Sequence, residues 1–237
     1  MEDVHQPGVC IPRDIHLKAA ISRLDHLDEE INNGYKILGK HKKTVTIFGS
    51  ARLEKSNFYY QKSYELGYAL AKKGFAVVTG GGYGIMEAAN KGAFEAGGAS
   101  IGFNIDLPHE QVLNTYVNES YGFKHFAPRK IMMTLFAHAY IFFPGGFGTL
   151  DELGEILTLT QTHKTNKAPI ILFDSDYWAD FTDFINKHML DGSSQLITPG
   201  DEKLLTITDN VEQIVNIAES NKFYCEENDT YFQRIQE

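Results

Sequence analysis

The sequence predicts one large α/β domain, a mostly parallel sheet with helices on both faces and extra helices at the amino terminus. Three observations predict it. Short apolar runs recur along the chain, each followed by a stretch with helical periodicity, the pattern of βαβ units. Glycine clusters stand where these runs turn into helices, at Gly49, at Gly80 to Gly84 and at Gly145 to Gly148. The chain's 237 residues, 43% of them apolar, are enough for a sizeable core.

Residues 1–13 carry little pattern. From Asp14 to Leu38 the positions Leu17, Ile21, Leu24, Leu27, Ile31, Tyr35 and Leu38 step by three and four. That spacing predicts one or two amphipathic helices, whose stripe covers either the sheet's flank or a second subunit. Thr44 to Phe48 reads as the first strand, with Gly49-Ser50-Ala51-Arg52 as its exit. Asn57 to Lys73 is a helix stopped by Gly74, Phe75 to Thr79 the second strand, and the helix after Gly84 runs to about Ala96. Ala99 to Phe103 is the third strand. Asn104 to Ser120 is the least patterned stretch, a loop with a short helix and a candidate active-site lid. Gly122 to Phe126 is expected as a short strand, and Pro128 as the first residue of a helix reaching about His138. Ala139 to Phe143 and Ala168 to Phe173 are strands; Leu150 to Gln161 and Trp178 to Leu190 are helices. Lys203 to Ile207 and Val211 to Glu219 form a last strand and helix, and the charged tail would dock through Phe223, Tyr224 and Tyr231. The expected divisions are a helical extension (1–43), a nucleotide-binding domain (44–220) and a tail (221–237).

A net charge of −9 argues against nucleic acid as a partner, so any phosphate must be met by a local positive site. No run approaches the roughly 18 apolar residues of a membrane span, and the amino terminus has no signal-peptide core, so a cytoplasmic protein is expected. Cys10 and Cys225 lie in the two tails and imply neither a disulfide framework nor a zinc site. The sequons at Asn118 and Asn228 mean little without secretion. Gly34 to Lys40 has P-loop spacing, but His41 replaces the required Ser/Thr and the segment precedes a strand instead of following one, which excludes it. No histidine pair has metal-ligand spacing with cysteine or carboxylate, and no metal is expected.

The chemistry concentrates in Pro144-Gly145-Gly146-Phe147-Gly148-Thr149-Leu150-Asp151-Glu152. It lies between a buried strand and a helix, where parallel sheets bind ligands and a helix amino terminus offers unpaired N–H groups to an anion. Two readings are open from these residues alone. One is an anion cradle with an acid, Glu152, a turn further in; the other is a capping box, Thr149 capping the helix and Glu152 reaching back. The run Gly80 to Gly84 cannot be laid in register on a dinucleotide fingerprint, yet three consecutive glycines exceed what a turn needs. Arg129 and Lys130, if Pro128 opens their helix, sit in its first turn, where the dipole disfavours cations. Either both side chains snorkel to solvent, or an anion, phosphate or carboxylate, sits between that helix start and residues 148–152, a role arginine's planar fork suits.

Taken together, the Pro144 to Glu152 stretch and the Arg129-Lys130 pair resemble the LONELY GUY (LOG) family, Rossmann-like, doubly wound phosphoribohydrolases marked by PGGxGTxxE with an upstream RK pair. Gly80-Gly81-Gly82-Tyr83-Gly84-Ile85-Met86 with Glu87-Ala88-Ala89-Asn90 resembles the family's glycine-rich second motif, and Phe48 to Arg52 its first strand exit. The resemblance spans about residues 44–190; Tyr83 stands where many longer members have proline. Members are often labelled lysine decarboxylases, but no lysine here is placed as a pyridoxal phosphate anchor, and no cofactor is expected.

The resemblance implies hydrolysis of the N-glycosidic bond of a nucleoside 5′-monophosphate, AMP or N6-modified AMP, to free base and ribose 5-phosphate. It implies Arg129 and Glu152 as catalytic residues. The backbone of Gly145, Gly146, Phe147, Gly148 and Thr149 would hold the phosphate with support from Lys130, and Gly81, Gly82, Met86, Ser50 and Arg52 would neighbour the nucleotide. It also implies a homodimer or higher homo-oligomer. The rival expectation is a non-catalytic nucleotide carrier or sensor that keeps the cradle; a structural assembly module ranks last.

Overall fold

The computed structural model describes residues 26–106, 112–134, 137–165, 167–191 and 195–221. Seven parallel strands form one sheet in the order β4-β3-β2-β1-β5-β6-β7. They are β1 (Thr44–Phe48), β2 (Ala76–Thr79), β3 (Ser100–Ile105), β4 (Glu119–Phe123), β5 (Tyr140–Phe142), β6 (Ile170–Phe173) and β7 (Leu205–Thr208). The helices are α1 (Leu27–Leu38), α2 (Phe58–Lys72), α3 (Ile85–Glu95), α4 (Phe126–Thr134), α5 (Phe147–Gln161), α6 (Ser175–Phe184) and α7 (Val211–Ser220). A π-helical turn, Ile185–Leu190, prolongs α6, and a short 3₁₀ turn, Asp201–Leu204, leads into β7. Among the described residues no helix is long and apolar enough to cross a membrane.

The central strands β1, β2, β5 and β6 are buried on both faces, which is why they do not show the alternation of a half-exposed strand, whereas the edge strands β4 and β7 are only partly covered. On one face Phe48, Val78, Phe103, Phe142 and Leu172 pack against Met132 and Met133 of α4, Leu153 and Ile156 of α5, and Trp178 of α6. On the other, Val45, Ile47, Val77, Ile141 and Ile171 meet Leu66 and Leu70 of α2, Ala89 and Ala93 of α3, and Ile214 and Val215 of α7. The strand order reverses between β1, whose next neighbour in sequence is β2, and β5 on its other side. That is the switch point of a doubly wound fold, and the crevice at its carboxyl end is where such sheets bind ligands.

The amino-terminal stripe covers the sheet's flank: Ile31, Ile37 and Leu38 of α1 join the core, and an added Cβ at Gly34 would collide with Met132. Glu30, almost fully buried, accepts from the N–H groups of Lys124 and His125 and contacts His125 Nδ1 at 3.0 Å, locking α1 to the turn before α4. The expected helical positions from Asp14 to Leu24, both cysteines and the aromatic residues of the tail lie outside the described residues.

Two expectations shift. The strand expected at Gly122 to Phe126 is Glu119–Phe123, and α4 starts at Phe126, so Pro128 is its third residue. Proline is tolerated there because no N–H of the first turn has an intrahelical partner. Arg129 and Lys130 are then the fourth and fifth helical residues, where the dipole's penalty is fading. Likewise α5 starts at Phe147 with Gly146 as its cap residue, and no side chain caps it. Thr149 lies inside the helix and its N–H donates to Gly146 O at 3.0 Å, so the capping-box reading of Thr149 and Glu152 fails.

Candidate active site

The switch-point crevice holds a cavity of about 820 Å³. Its floor is Ile47, Phe48 and Ile105; its walls are the β1 exit from Gly49 to Arg52, then Gly80 and Met86, then Phe126, Arg129 and Met133 of α4, and the stretch Gly145 to Glu152. Of the residues expected at the site, Arg129, Glu152, Gly145, Gly146, Phe147, Gly148, Thr149, Met86, Ser50 and Arg52 all line this one cavity. Lys130, Gly81 and Gly82 do not.

The β5 exit folds back tightly before becoming α5. An added Cβ at Gly145 would fall on the Thr149 side chain, so only glycine fits. Gly146 and Gly148 differ: neither has a positive φ, and a Cβ on either would meet no protein atom within 4 Å. The N–H of Gly145 is bound by the Tyr177 hydroxyl, and that of Thr149 by Gly146 O. The Gly146, Phe147 and Gly148 N–H groups have no backbone partner among the described residues, which narrows the expected cradle from five residues to three. Phe147 itself projects outward, 92% exposed.

The glycine run after β2 serves packing. Gly81, with φ +72, is pressed against Leu113 and Gly102, and Gly84, with φ +62, lies against Ser50 O. Asn114 Nδ2 donates to the carbonyls of Gly81 and Gly82 at 3.1 and 3.0 Å and to Asn90 Oδ1 at 3.0 Å. Thr79 Oγ1 donates to Asn90 Oδ1 and accepts from the Gly81 N–H. The segment expected as a lid thus supplies, through Leu113 and Asn114, the buttress of this turn; residues 107–111 lie outside the description. Gly80 is the residue of the run that faces the cavity: a Cβ there would meet the Arg129 guanidinium and Met86 Sδ.

Arg129 is half-buried, and its Nε donates to Phe103 O at 2.7 Å, which aims the guanidinium past Gly80 into the crevice. Burial lowers its pKa from the ordinary arginine value, with Glu152 opposing. Glu152 is 7% exposed, and its Oε2 has no hydrogen-bond partner among the described residues. Burial pushes its carboxyl up to about 7; Lys130 and Arg129 hold it down, and Glu155 and Asp151 add to the rise. Lys130 turns away from the cavity to pair with Asp151 Oδ2 at 2.7 Å and Glu155 Oε2 at 3.1 Å. Its charge reaches Glu152, but its ammonium is committed to the outer acids of α5.

Sequence reasoning singled out the glycine run but assigned Gly81 and Gly82 to the site where Gly80 lines it, and it missed Phe126, Met133 and Tyr177. Spacing held a signal for two of them: Phe126, Arg129 and Met133 step by three and four along α4 and share one face. Nothing local marks Tyr177, which arrives from another element.

Fold and crevice define a class, the doubly wound α/β proteins with a ligand cleft at the switch point between two strand exits. The sequence model of the family described as "Possible lysine decarboxylase" matches residues 86–217, more than half of the chain, and the chain belongs to that family, the LOG family. It is 26% identical over 176 residues to a cytokinin riboside 5′-monophosphate phosphoribohydrolase of Rhodococcoides fascians, covering 72% of this chain and 86% of that protein. The LOG enzyme of that name from Oryza sativa subsp. japonica is 34% identical over 147 residues, 61% of this chain and 60% of its own length. LOG4 of Arabidopsis thaliana is 30% identical over 166 residues, 69% of this chain and 76% of that one. Among solved structures, TM1055 matches with a TM-score of 0.57 at 26% identity, over 75% of this chain and 98% of that one. The molybdenum cofactor carrier protein of Chlamydomonas reinhardtii matches with a TM-score of 0.56 at 21% identity, over 76% and 97%, a likeness of fold alone.

Proposed function

We propose that the chain hydrolyses the N-glycosidic bond of a nucleoside 5′-monophosphate, AMP or N6-substituted AMP, releasing the free base and ribose 5-phosphate. The observation that carries this reading is Glu152: a buried carboxyl with an unpaired oxygen, lining the same cavity as the open amino terminus of α5. The glycines support it, since nothing in the protein requires Gly146 or Gly148, whereas a phosphate approaching the backbone does. The N–H groups of Gly146, Phe147 and Gly148 then bind the 5′-phosphate, giving binding energy remote from the reacting carbon. As the bond from C1′ to the base nitrogen breaks, the base leaves with the electron pair and takes a proton from solvent, positive charge builds on the ribose, and the Glu152 carboxylate stabilises it and takes a proton from the water whose oxygen bonds to C1′. Arg129 orients the ribose phosphate across the crevice. Gly80, Met86, Ser50 and Arg52 border the nucleotide; Gly81 and Gly82 act through the turn behind Gly80, and Lys130 through its charge. The relatives named for this reaction agree with the reading, and it carries with it a cytoplasmic homodimer, to be checked by light scattering.

The test is turnover. Purified protein incubated with AMP, and with N6-substituted AMP, releases base and ribose 5-phosphate; Glu152→Gln binds nucleotide but loses about 10²–10⁴-fold in kcat. The wild-type kcat/KM falls on the acid side of pH about 7, as protonation removes the base, and the variant lacks that limb. Nucleotides that shift the melting temperature yet stay intact would make the chain a carrier instead.

A further inference from the structure

We propose that Tyr177 is the positioning residue of the anion cradle, acting by fixing the Gly145 peptide; this rests on the reading of Gly146 to Gly148 as the phosphate site. Tyr177 stands in the first turn of α6, and its hydroxyl meets both polar groups of one residue. It donates to Gly145 O at 2.7 Å and accepts from the Gly145 N–H at 3.3 Å. A phenol has one proton and free lone pairs, so both bonds form at once. On the other side of the loop, Thr149 fills the space a Cβ at Gly145 would need. Gly145 is therefore clamped from two elements, and the direction in which the next three N–H groups point follows from that clamp.

Tyr177 is itself held from behind. Asp174, at the exit of β6, accepts from the Tyr177 N–H with one oxygen at 2.9 Å and from the Tyr59 hydroxyl with the other at 2.6 Å. Asp174 does this with φ +88, a backbone conformation costly for any residue but glycine. A helix cap alone needs no such strain, because cap residues ordinarily sit in extended backbone. The strained position is occupied by a side chain that serves Tyr59 and Tyr177 together. A continuous set of contacts thus runs from α2, on one face of the sheet, through Asp174 and Tyr177 to the loop that opens α5 on the other.

Tyr177→Phe keeps the ring and its edge-to-face contact with Trp178, whose ring centroid lies 4.9 Å away, and removes only the hydroxyl. Calorimetry with ribose 5-phosphate and with adenosine, alongside AMP kinetics and thermal melting, tests the proposal. The expected result is about three- to tenfold weaker binding of ribose 5-phosphate and a matching rise in KM for AMP. Adenosine binding is unchanged, kcat moves by less than about twofold, and the melting temperature is held. Equal ribose 5-phosphate affinity in variant and wild type overturns the proposal. So does an equal loss for adenosine, which would make the hydroxyl a general support of the fold. A wild-type protein that binds neither ribose 5-phosphate nor AMP fails differently, removing the functional reading itself and the proposal with it.

Discussion

The glycine run after β2 and the glycine loop after β5 border the same crevice and have similar composition, yet they use their backbones in opposite ways. In the first, the carbonyls of Gly81 and Gly82 are consumed by Asn114, the Gly81 N–H by Thr79, and the positive φ angles by tight turns against β1 and β3. In the second, Gly145 is held at both polar groups and Gly146 through its carbonyl, which starts α5, but the N–H groups of Gly146 to Gly148 have no backbone partner among the described residues. A buried amide side chain is the sign of the first use, since it replaces water for peptide groups that would otherwise be orphaned. Room for a Cβ that is not there is the sign of the second.

Three substitutions sharpen that contrast. The largest expected effect is on stability and comes from Glu152→Gln. Its carboxyl, ordinarily near 4.5, is held at about 7 in the folded chain, so the charged form is disfavoured there. Below pH about 4.5 the group costs nothing; as pH rises to and beyond 7, wild type loses stability relative to the variant, on the order of 3 kcal/mol. Denaturant unfolding at pH 4.5 and pH 8 reads the difference, and equal curves at both would remove the burial argument. Next comes Asn114→Ala, which leaves the Gly82 carbonyl without its donor, while Gly81 O keeps the residue-114 backbone N–H, and costs about 1–3 kcal/mol, with ribose 5-phosphate affinity little changed. A large loss of that affinity with no loss of stability would exchange the roles of the two glycine turns. The smallest effect is from Gly148→Ala, which gains about 0.5–1 kcal/mol from helix propensity. The same variant binds ribose 5-phosphate more weakly; unchanged binding would place the phosphate elsewhere.

Much of this site is legible in the sequence because it is built from strand exits, and strand exits are local. The apolar runs at 44–48 and 170–173 and the glycines that follow β1, β2 and β5 can be read without knowing what they pack against. So can Glu152, because its distance from Gly148 along one helix is fixed by helical geometry. What could not be read depends on partners distant in the chain. Lys130 looks like a phosphate ligand until Asp151 and Glu155 are seen to hold it. Gly81 and Gly82 look equivalent to Gly80 until Asn114 claims the first two and Arg129 crowds the third. Pro128 misplaces the start of α4 because proline satisfies any position of a first turn, not one.

The position of β1 in the sheet has a consequence in time. Among the described strands it is the first synthesised, and it sits in the interior, pairing with β2 on one side and with β5 on the other. At about 5–20 residues per second, β2 follows β1 after roughly 2–6 s, whereas β5 follows only after roughly 5–19 s. During that interval the emerging half-sheet β4-β3-β2-β1 presents the unpaired backbone edge of β1, with Ile47 on one face and Phe48 on the other, the kind of edge other chains add to. The crevice is the seam along which the late half closes onto the early one. A nascent chain stalled before β5 would therefore be a sticky one, and a ligand spanning the seam would reward only chains that had been finished.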